Sequence, residues 1–191
     1  MTITLNGTSG INTPGVVNTA AQTVATTLAV TGVSTLTGGF TVGATAAPAF
    51  SAYMGSTQAL SAVTSTKLQY NTENFDTASC YNNTGSTVGG IPAYAFLPNV
   101  AGYYQINANF SGATSTSGDF QISILKNGIS VALNGFNAGT SGGFTNAPCI
   151  SALIQFNGST DYVEIWAYVQ YAQTLQSGAN RVFSGSMVRS A

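Results

Sequence analysis

Residues 119–134 read DFQISILKNGISVALN, and this stretch decides the fold class. Apolar and polar residues alternate on both sides of Asn127-Gly128. Alternation with a period of two is typical of a β-strand that buries one face. Asn-Gly between two such runs is a strong signal for a tight hairpin turn. The stretch therefore predicts an antiparallel β-hairpin with one face towards a core.

Similar short alternating runs, separated by turn residues, occupy the rest of the chain from about residue 48 onward. The predicted strands are residues 50–54, 67–71, 93–97, 102–110, 119–126, 129–134, 147–156, 162–171 and 181–189. This number of short strands in about 140 residues fits a jelly roll, in which two antiparallel sheets enclose one core. The predicted fold class is therefore an all-β antiparallel jelly-roll sandwich.

The composition supports a β-rich protein and argues against several functions. Charged residues make up 5% of the chain, against about 25% in an average soluble domain, and helical surfaces usually need more charge than this. The four basic residues are too few for a patch that binds a nucleic acid backbone. No apolar run approaches the length of a membrane-spanning helix, and the first residues lack the pattern of a secretory signal. We expect no nucleic-acid partner and no membrane insertion.

The sequence shows no candidate catalytic or metal site. Histidine is absent, which removes the commonest general base and metal ligand. Glu73 and Asp76, like Asp161 and Glu164, lie three residues apart, a spacing that points to opposite faces of a strand. Calcium held by Asp76 or Asp161 stays open, and so does pairing of the two cysteines, Cys80 and Cys149, although free thiols are favoured. We expect no enzymatic activity and no cofactor.

The first 66 residues differ from the rest because they carry no charged residue. Residues 1–26 are predicted to be an attachment arm, residues 27–47 a glycine-punctuated β stem or linker, and residues 48–191 the jelly-roll head. Alternation in the stem leaves one narrow apolar edge, formed by Leu28, Val30, Val33, Leu36, Phe40 and Val42. Two interpretations remain: a flexible linker, or several chains that wind together and bury these edges.

Residues 48–191 resemble the globular head of complement component 1q, a branch of the tumour-necrosis-factor superfamily. The resemblance is carried by Tyr70, Asp76 and Tyr81 at family spacing, by Phe96-x5-Gly102-x-Tyr104, and by the closing run from Phe183 to Met187. The chain departs from the family at Val88, where phenylalanine is expected, at an insertion over residues 82–90, and in lacking a collagen-like stalk.

The resemblance implies a homotrimer, and it nominates aromatic residues for core or inter-subunit packing. The candidates are Tyr70, Tyr104, Phe110, Phe120, Tyr168 and Phe183. Trp166 is expected to fill the sandwich core.

The N-terminal region resembles the attachment ends of bacteriophage tail-fibre and related virion proteins, through MTITLNGTSGI at residues 1–11 and the Leu-x-Val-Thr-Gly unit at residues 28–32. This implies a virion surface protein that is synthesised in the bacterial cytoplasm. The arm and stem would dock on capsid or tail proteins. The head, through loops 82–90, 114–118 and 135–146, would contact the host surface, with a glycan or outer-membrane component as candidate partner. The alternative is a capsid decoration protein or head fibre that stabilises the shell.

Overall fold

The computed structural model describes residues 47–112, 118–138 and 147–191, and these residues form twelve strands and no helix. The strands are β1 Ala49–Met54, β2 Gln58–Leu60, β3 Thr66–Lys67, β4 Thr72–Asp76, β5 Ala95–Phe96, β6 Gly102–Asn109, β7 Gly118–Lys126, β8 Ile129–Ala138, β9 Cys149–Phe156, β10 Val163–Val169, β11 Gln173–Leu175 and β12 Gly178–Ser190. In the described ranges no helix is long and apolar enough to span a membrane.

The strands form two antiparallel sheets that face each other. One sheet has the order β4-β1-β12-β6-β9; the other has the order β3-β10-β7-β8, with β5 also paired to β10. A small third sheet pairs β2 with β11. The predicted all-β jelly-roll sandwich is confirmed.

The predicted hairpin is present, and its turn shows why the sequence needs Asn-Gly. Strands β7 and β8 pair from Gly118–Ala138 to Lys126–Ile129. Asn127 has φ 53° and Gly128 has φ 80°. Two consecutive residues at positive φ define the turn whose twist matches a β-hairpin, and asparagine and glycine tolerate that conformation best.

Aromatic rings fill the space between the sheets. The Phe50 ring from β1 stacks on Phe96 from β5, with centroids 4.4 Å apart, and on Tyr81 at 4.6 Å. Phe183 from β12 meets Phe50 edge-on at 4.8 Å. These rings are almost completely buried, and stacked or edge-on pairs add to the stabilisation that burial provides. The cluster therefore connects the two sheets.

The sequence misplaced the region between β1 and β5. A single strand was predicted at residues 67–71, but the chain forms β3 up to Lys67 and then β4 from Thr72. Strands β2, β4 and β11 were not predicted. Strand β4 is exposed and polar, with an irregular register against β1 at Ser51/Ala52. Strands β2 and β11 have three residues each, which is too short for an alternating pattern to be recognised in the sequence.

Trp166 was predicted to fill the core, and this is wrong. The core side of β10 carries Val163 and Ile165, which are fully buried, and successive side chains of a strand point to opposite faces. Trp166 consequently lies on the outer face, partly exposed, where its indole N–H donates to Glu164 Oε1 at 2.8 Å. The register of the strand decides which face a single tryptophan occupies.

Several predictions concern residues outside the described ranges. These are the arm, the stem and its apolar edge at Leu28, Val30, Val33, Leu36, Phe40 and Val42, together with most of loops 114–118 and 135–146. They stay predictions, and so does the boundary at residue 48.

The two ends of the sandwich differ in which segments they carry. We call the end at which β1 begins (Ala49) and β12 ends (Ser190) the near end. The opposite end, where β1 ends at Met54 beside Gly178, is the far end. Antiparallel pairing places the last residues of β6 and β8 at the far end. The described part of the head thus begins at the end opposite to the β6–β7 and β8–β9 connections.

Replacing Phe183 by alanine should lower the free energy of unfolding by about 3–5 kcal/mol, because it removes a fully buried ring that contacts Phe50, Tyr70 and Tyr81. Urea unfolding at fixed protein concentration measures the loss. Phe75→Ala is the matched control, since that ring is 50% exposed. Equal losses in both variants would contradict the aromatic cluster as the centre of the core.

Candidate subunit interface

Five of the six aromatic residues nominated for packing lie inside the protomer. Tyr70, Tyr104, Phe110, Phe120 and Phe183 are 0–2% exposed, whereas Tyr168 is partly exposed on the outer face of β10. Two buried hydroxyls have partners: Tyr70 donates to Asn109 O at 3.0 Å and Tyr104 to Val100 O at 2.8 Å. Burial raises the pKa of Tyr70 far above its usual value and that of Tyr104 to about 12. These five side chains are therefore not available to a contact between subunits.

The outer face of the five-stranded sheet carries an exposed apolar surface at the near end of the sandwich. Tyr103 of β6, Leu153 of β9 and Val188 of β12 are 39%, 59% and 61% exposed. They line a shallow concavity of about 590 Å³ with Gln155 and Arg189. We name Tyr103, Leu153 and Val188 the face patch. Clustered exposed apolar residues on a sheet are typical of a protein–protein contact.

Towards the far end the same face becomes polar. Gln105 Nε2 donates to Ser151 Oγ at 2.8 Å, and Ser151 Oγ donates to Asn107 Oδ1 at 2.9 Å. Beside them, Asn107, Ser151 and Cys149 contribute to the lining of a second concavity of about 490 Å³. Because these polar groups already bond to one another, covering them with a partner would leave few of them unsatisfied.

The free edge of the other sheet carries a second apolar surface. Strand β8 is the last strand of its sheet, and its Ile129 and Val131 are 70% and 48% exposed. We name these two residues the edge patch. An exposed apolar edge strand favours association, and soluble proteins usually cover or charge such edges. Neither patch is evident from the sequence, because alternation separates the two faces of a strand but does not indicate which outward residues meet.

A charged pair at the end of β7 holds that strand beside β9, next to the turn that leads to Ile129 of the edge patch. Lys126 Nζ donates to Gln155 O at 2.7 Å and pairs with Asp161 Oδ2 at 2.8 Å. Burial alone raises the pKa of Asp161, but hydrogen bonds from Lys126, Asn127 and the Asn157 amide, with the Lys126 charge, outweigh it and hold that pKa below its usual range. The pair connects β7, β9 and the β9–β10 loop.

Most of the remaining charges serve the protomer itself. Lys67 forms an ion pair with Glu164, which is 5% exposed and also accepts from Trp166. The Asp76 carboxylate accepts from the amides of Ala78 and Tyr81, at 3.2 and 2.8 Å. Hydrogen-bonded and paired carboxylates of this kind stabilise loops and strands. In the described ranges, no three acidic or cysteine side chains form a group that could hold a metal ion.

Both cysteines are free thiols, Cys80 buried and Cys149 exposed on β9, so the question of a disulfide is answered by their separate environments. Cys80 Sγ donates to Ala78 O at 3.3 Å, and burial raises the pKa of this thiol. A raised pKa lowers the fraction of reactive thiolate. The geometry therefore offers surfaces for binding, and no activated nucleophile at Cys80.

The loop at residues 82–90, nominated for recognition, is organised by a buried asparagine. Asn82 is 4% exposed. Its side-chain Nδ2 lies 2.7 Å from Ser86 O and 2.9 Å from Ile91 O, while Oδ1 accepts from Thr84 N at 2.9 Å. Val88 and Ile91 then close a tight turn with two reciprocal backbone hydrogen bonds. Hydrogen bonds within the segment therefore define the conformation of residues 82–91.

Comparison with known proteins supports the fold and does not identify a family by sequence. No family model matches the chain, and no curated protein matches it. Among solved structures, the globular domain of zebrafish complement 1qA is similar, with 15% identity and a TM-score of 0.52 over 75% of this chain and 99% of that one. Murine APRIL is also similar, with 8% identity and a TM-score of 0.54 over 73% and 96%. The head therefore has the jelly-roll fold of the complement 1q and tumour-necrosis-factor type.

Asp161→Asn should make stability less sensitive to acid. A lowered folded-state pKa contributes stability that is present above the unfolded value of about 3.9 and is lost as the pH falls through the folded pKa. The wild type should therefore lose more stability than Asp161→Asn on acidification below about pH 4, as measured by urea unfolding midpoints. Glu73→Gln is the control, because burial and then the charge of Asp76 raise the pKa of Glu73. Protonation of Glu73 in acid therefore favours the folded state. Without this residue, the loss of stability on acidification should be no smaller than in the wild type. A smaller loss in Glu73→Gln alone would contradict the assignment.

Proposed function

We propose that this chain is a non-enzymatic structural protein that assembles as a homotrimer, with the face patch of each protomer packed against the edge patch of the next. The observation that carries this proposal is the pair of apolar patches. A threefold interface is heterologous, so each protomer must supply two different, complementary surfaces. The described residues offer one apolar patch on a sheet face and another on a sheet edge.

The two patches also lie at the same height along the sandwich. Ile129 pairs with Lys126, whose ammonium group bonds Gln155 O, and Gln155 pairs with Tyr103. Rotation about an axis parallel to the strands keeps every residue at its height. A threefold axis in that direction therefore allows the edge patch of one protomer to meet the face patch of its neighbour at the same height.

We place this trimer on the surface of a bacteriophage particle, as a tail fibre or tail tip. The support is the resemblance of residues 1–11 and 28–32 to virion attachment ends, together with a trimer-forming type of head. Residues 1–47 would dock on tail or capsid proteins, and the head would face the host surface and bind a glycan or outer-membrane component. The chain would be made in the host bacterial cytoplasm and reach the outside on the particle.

The second candidate is a capsid decoration protein or head fibre, favoured by the length of the N-terminal region. Even fully extended, 46 residues span about 150–165 Å, which is short for the shaft of a long fibre. A decoration protein binds the assembled shell and stabilises it by mass action.

Leu153→Glu in the face patch and Val131→Glu in the edge patch should each convert the trimer into monomers, because a buried, unpaired carboxylate costs several kcal/mol. Light scattering coupled to size exclusion measures the mass. Val63→Glu is the matched control, since Val63 is 68% exposed and belongs to neither patch. Trimers in both patch variants, or a wild type that is monomeric, would refute the proposed interface.

Deleting residues 1–46 should leave a soluble trimeric head that no longer joins particles.

A gold-labelled antibody against the head, viewed by electron microscopy on purified particles that carry the full-length protein, separates the two candidates. Label confined to the tail supports a fibre or tip protein, whereas regularly spaced label over the shell supports decoration. Absence of label from particles would refute the virion assignment and leave the trimeric head.

A further inference from the structure

The outer face of the four-stranded sheet holds a shallow hollow with polar side chains, which contains no residue of the face patch or the edge patch. It has a volume of about 350 Å³ and is lined by Asp119, Gln121, Leu133, Gly135 and Asn137, at the far end of β7 and β8. Volumes above about 300 Å³ are usual for small-molecule sites. The face patch is on the other sheet, and the edge patch is at the near end of β8. Leu133, which is 62% exposed, lies two residues beyond Val131 and separates the edge patch from the polar part of the hollow.

The polar groups of the hollow are held in place by the sheet. Asn137 Nδ2 donates to Asp119 Oδ1 at 2.7 Å, and the Asp119 amide donates to Gln170 Oε1 at 3.1 Å. Asp119 Oδ2 and the Gln121 side-chain amide have no hydrogen-bond partner among the described residues. One carboxylate oxygen and one complete amide are thus available to a ligand, at positions that two backbone strands define.

Gly135 lines the hollow, and Tyr168 lies beside it on the same sheet face. A Cβ atom on Gly135 would lie 2.9 Å from Gln121 Cγ and 3.1 Å from Phe120 O, so a side chain at this position would fill the space. Tyr168 of β10 is directly opposite Gln121 in the register, and side chains opposite one another on a sheet face lie close enough to contact one ligand. Its ring is partly exposed and provides an apolar surface beside the amide.

The lining selects a neutral, hydroxyl-rich ligand. It contains no lysine or arginine, so it does not favour phosphate or sulfate. It offers a single carboxylate, whereas calcium takes six to eight oxygen ligands. A carboxylate that only accepts hydrogen bonds and amides that both donate and accept match hydroxyl groups, and an adjacent aromatic ring suits the apolar face of a sugar.

We propose that this hollow binds a neutral saccharide, with Asp119, Gln121 and Asn137 bonding its hydroxyl groups and Tyr168 covering its apolar face. The inference deepens the proposed host-surface role, because it names the class of ligand and puts the contact on a sheet face. Gly135 and Asn137 were expected in the nominated loop 135–146, but the structure places both on strand β8. Tyr168, which does not reach the core, gains a role as a positioning surface. Each of the three heads would present one such hollow outward.

Saturation-transfer NMR on the full-length protein tests the hollow, with galactose, glucose, N-acetylglucosamine and rhamnose as probes at millimolar concentration. At least one probe should receive saturation from the wild type. Gln121→Ala and Asp119→Asn should each weaken binding about tenfold, the effect of losing one well-formed hydrogen-bond pair. Gln69→Ala is the matched control, because Gln69 is exposed and lies outside the hollow.

Saturation of none of the probes, equal affinity in Gln121→Ala and Gln69→Ala, or binding that a chelator abolishes would each overturn the saccharide site. The mass of every sample, measured in parallel by light scattering, separates this result from the proposed function. An intact trimer without sugar binding refutes the hollow alone. Sugar binding by a monomeric wild type refutes the trimer and leaves the hollow standing.

Discussion

The packing of aromatic rings between the two sheets is the interaction on which the head depends. Phe50 stands at its centre, stacked on Phe96 and Tyr81 and met edge-on by Phe183. These rings come from segments far apart in sequence, so their contact fixes the course of the chain as well as its stability. The buried tyrosines also satisfy their hydroxyls on backbone oxygens, as with Tyr81 on Tyr70 O at 2.7 Å, which is what makes polar rings acceptable in a core.

Because the rings of this cluster are committed to the interior, the surfaces are built from other residues and divide into separate areas. The five-stranded sheet presents an apolar half and a polar half, and the free edge of the other sheet presents Ile129 and Val131. The scarce charges act mainly as internal ties: Lys126 with Asp161 at the corner between the sheets, and Lys67 with Glu164 beside Trp166. A near-neutral exterior of this kind favours self-association and hydrogen bonding over electrostatic recognition.

The proposed trimer and the proposed saccharide hollow rely on different faces of one sandwich. The contact between protomers would bury apolar side chains at the near end, where the described head begins. The hollow faces outward at the far end, close to the β6–β7 and β8–β9 connections. A rigid sheet positions side chains more accurately than a loop does, which favours a ligand site on strands β7 and β8.

The sequence by itself determined the fold class, most of the long strands and the hairpin at Asn127-Gly128, because alternation and turn chemistry are local properties. It also indicated that Tyr70, Tyr104 and Phe183 belong to packed positions. Only the tertiary structure decided that Trp166 and Tyr168 face outward, that β4 is a separate edge strand, and that Tyr103, Leu153 and Val188 meet on one surface. These outcomes depend on register and on which strands become neighbours, and a shift of one residue exchanges the two faces of a strand, so the local pattern could not contain them.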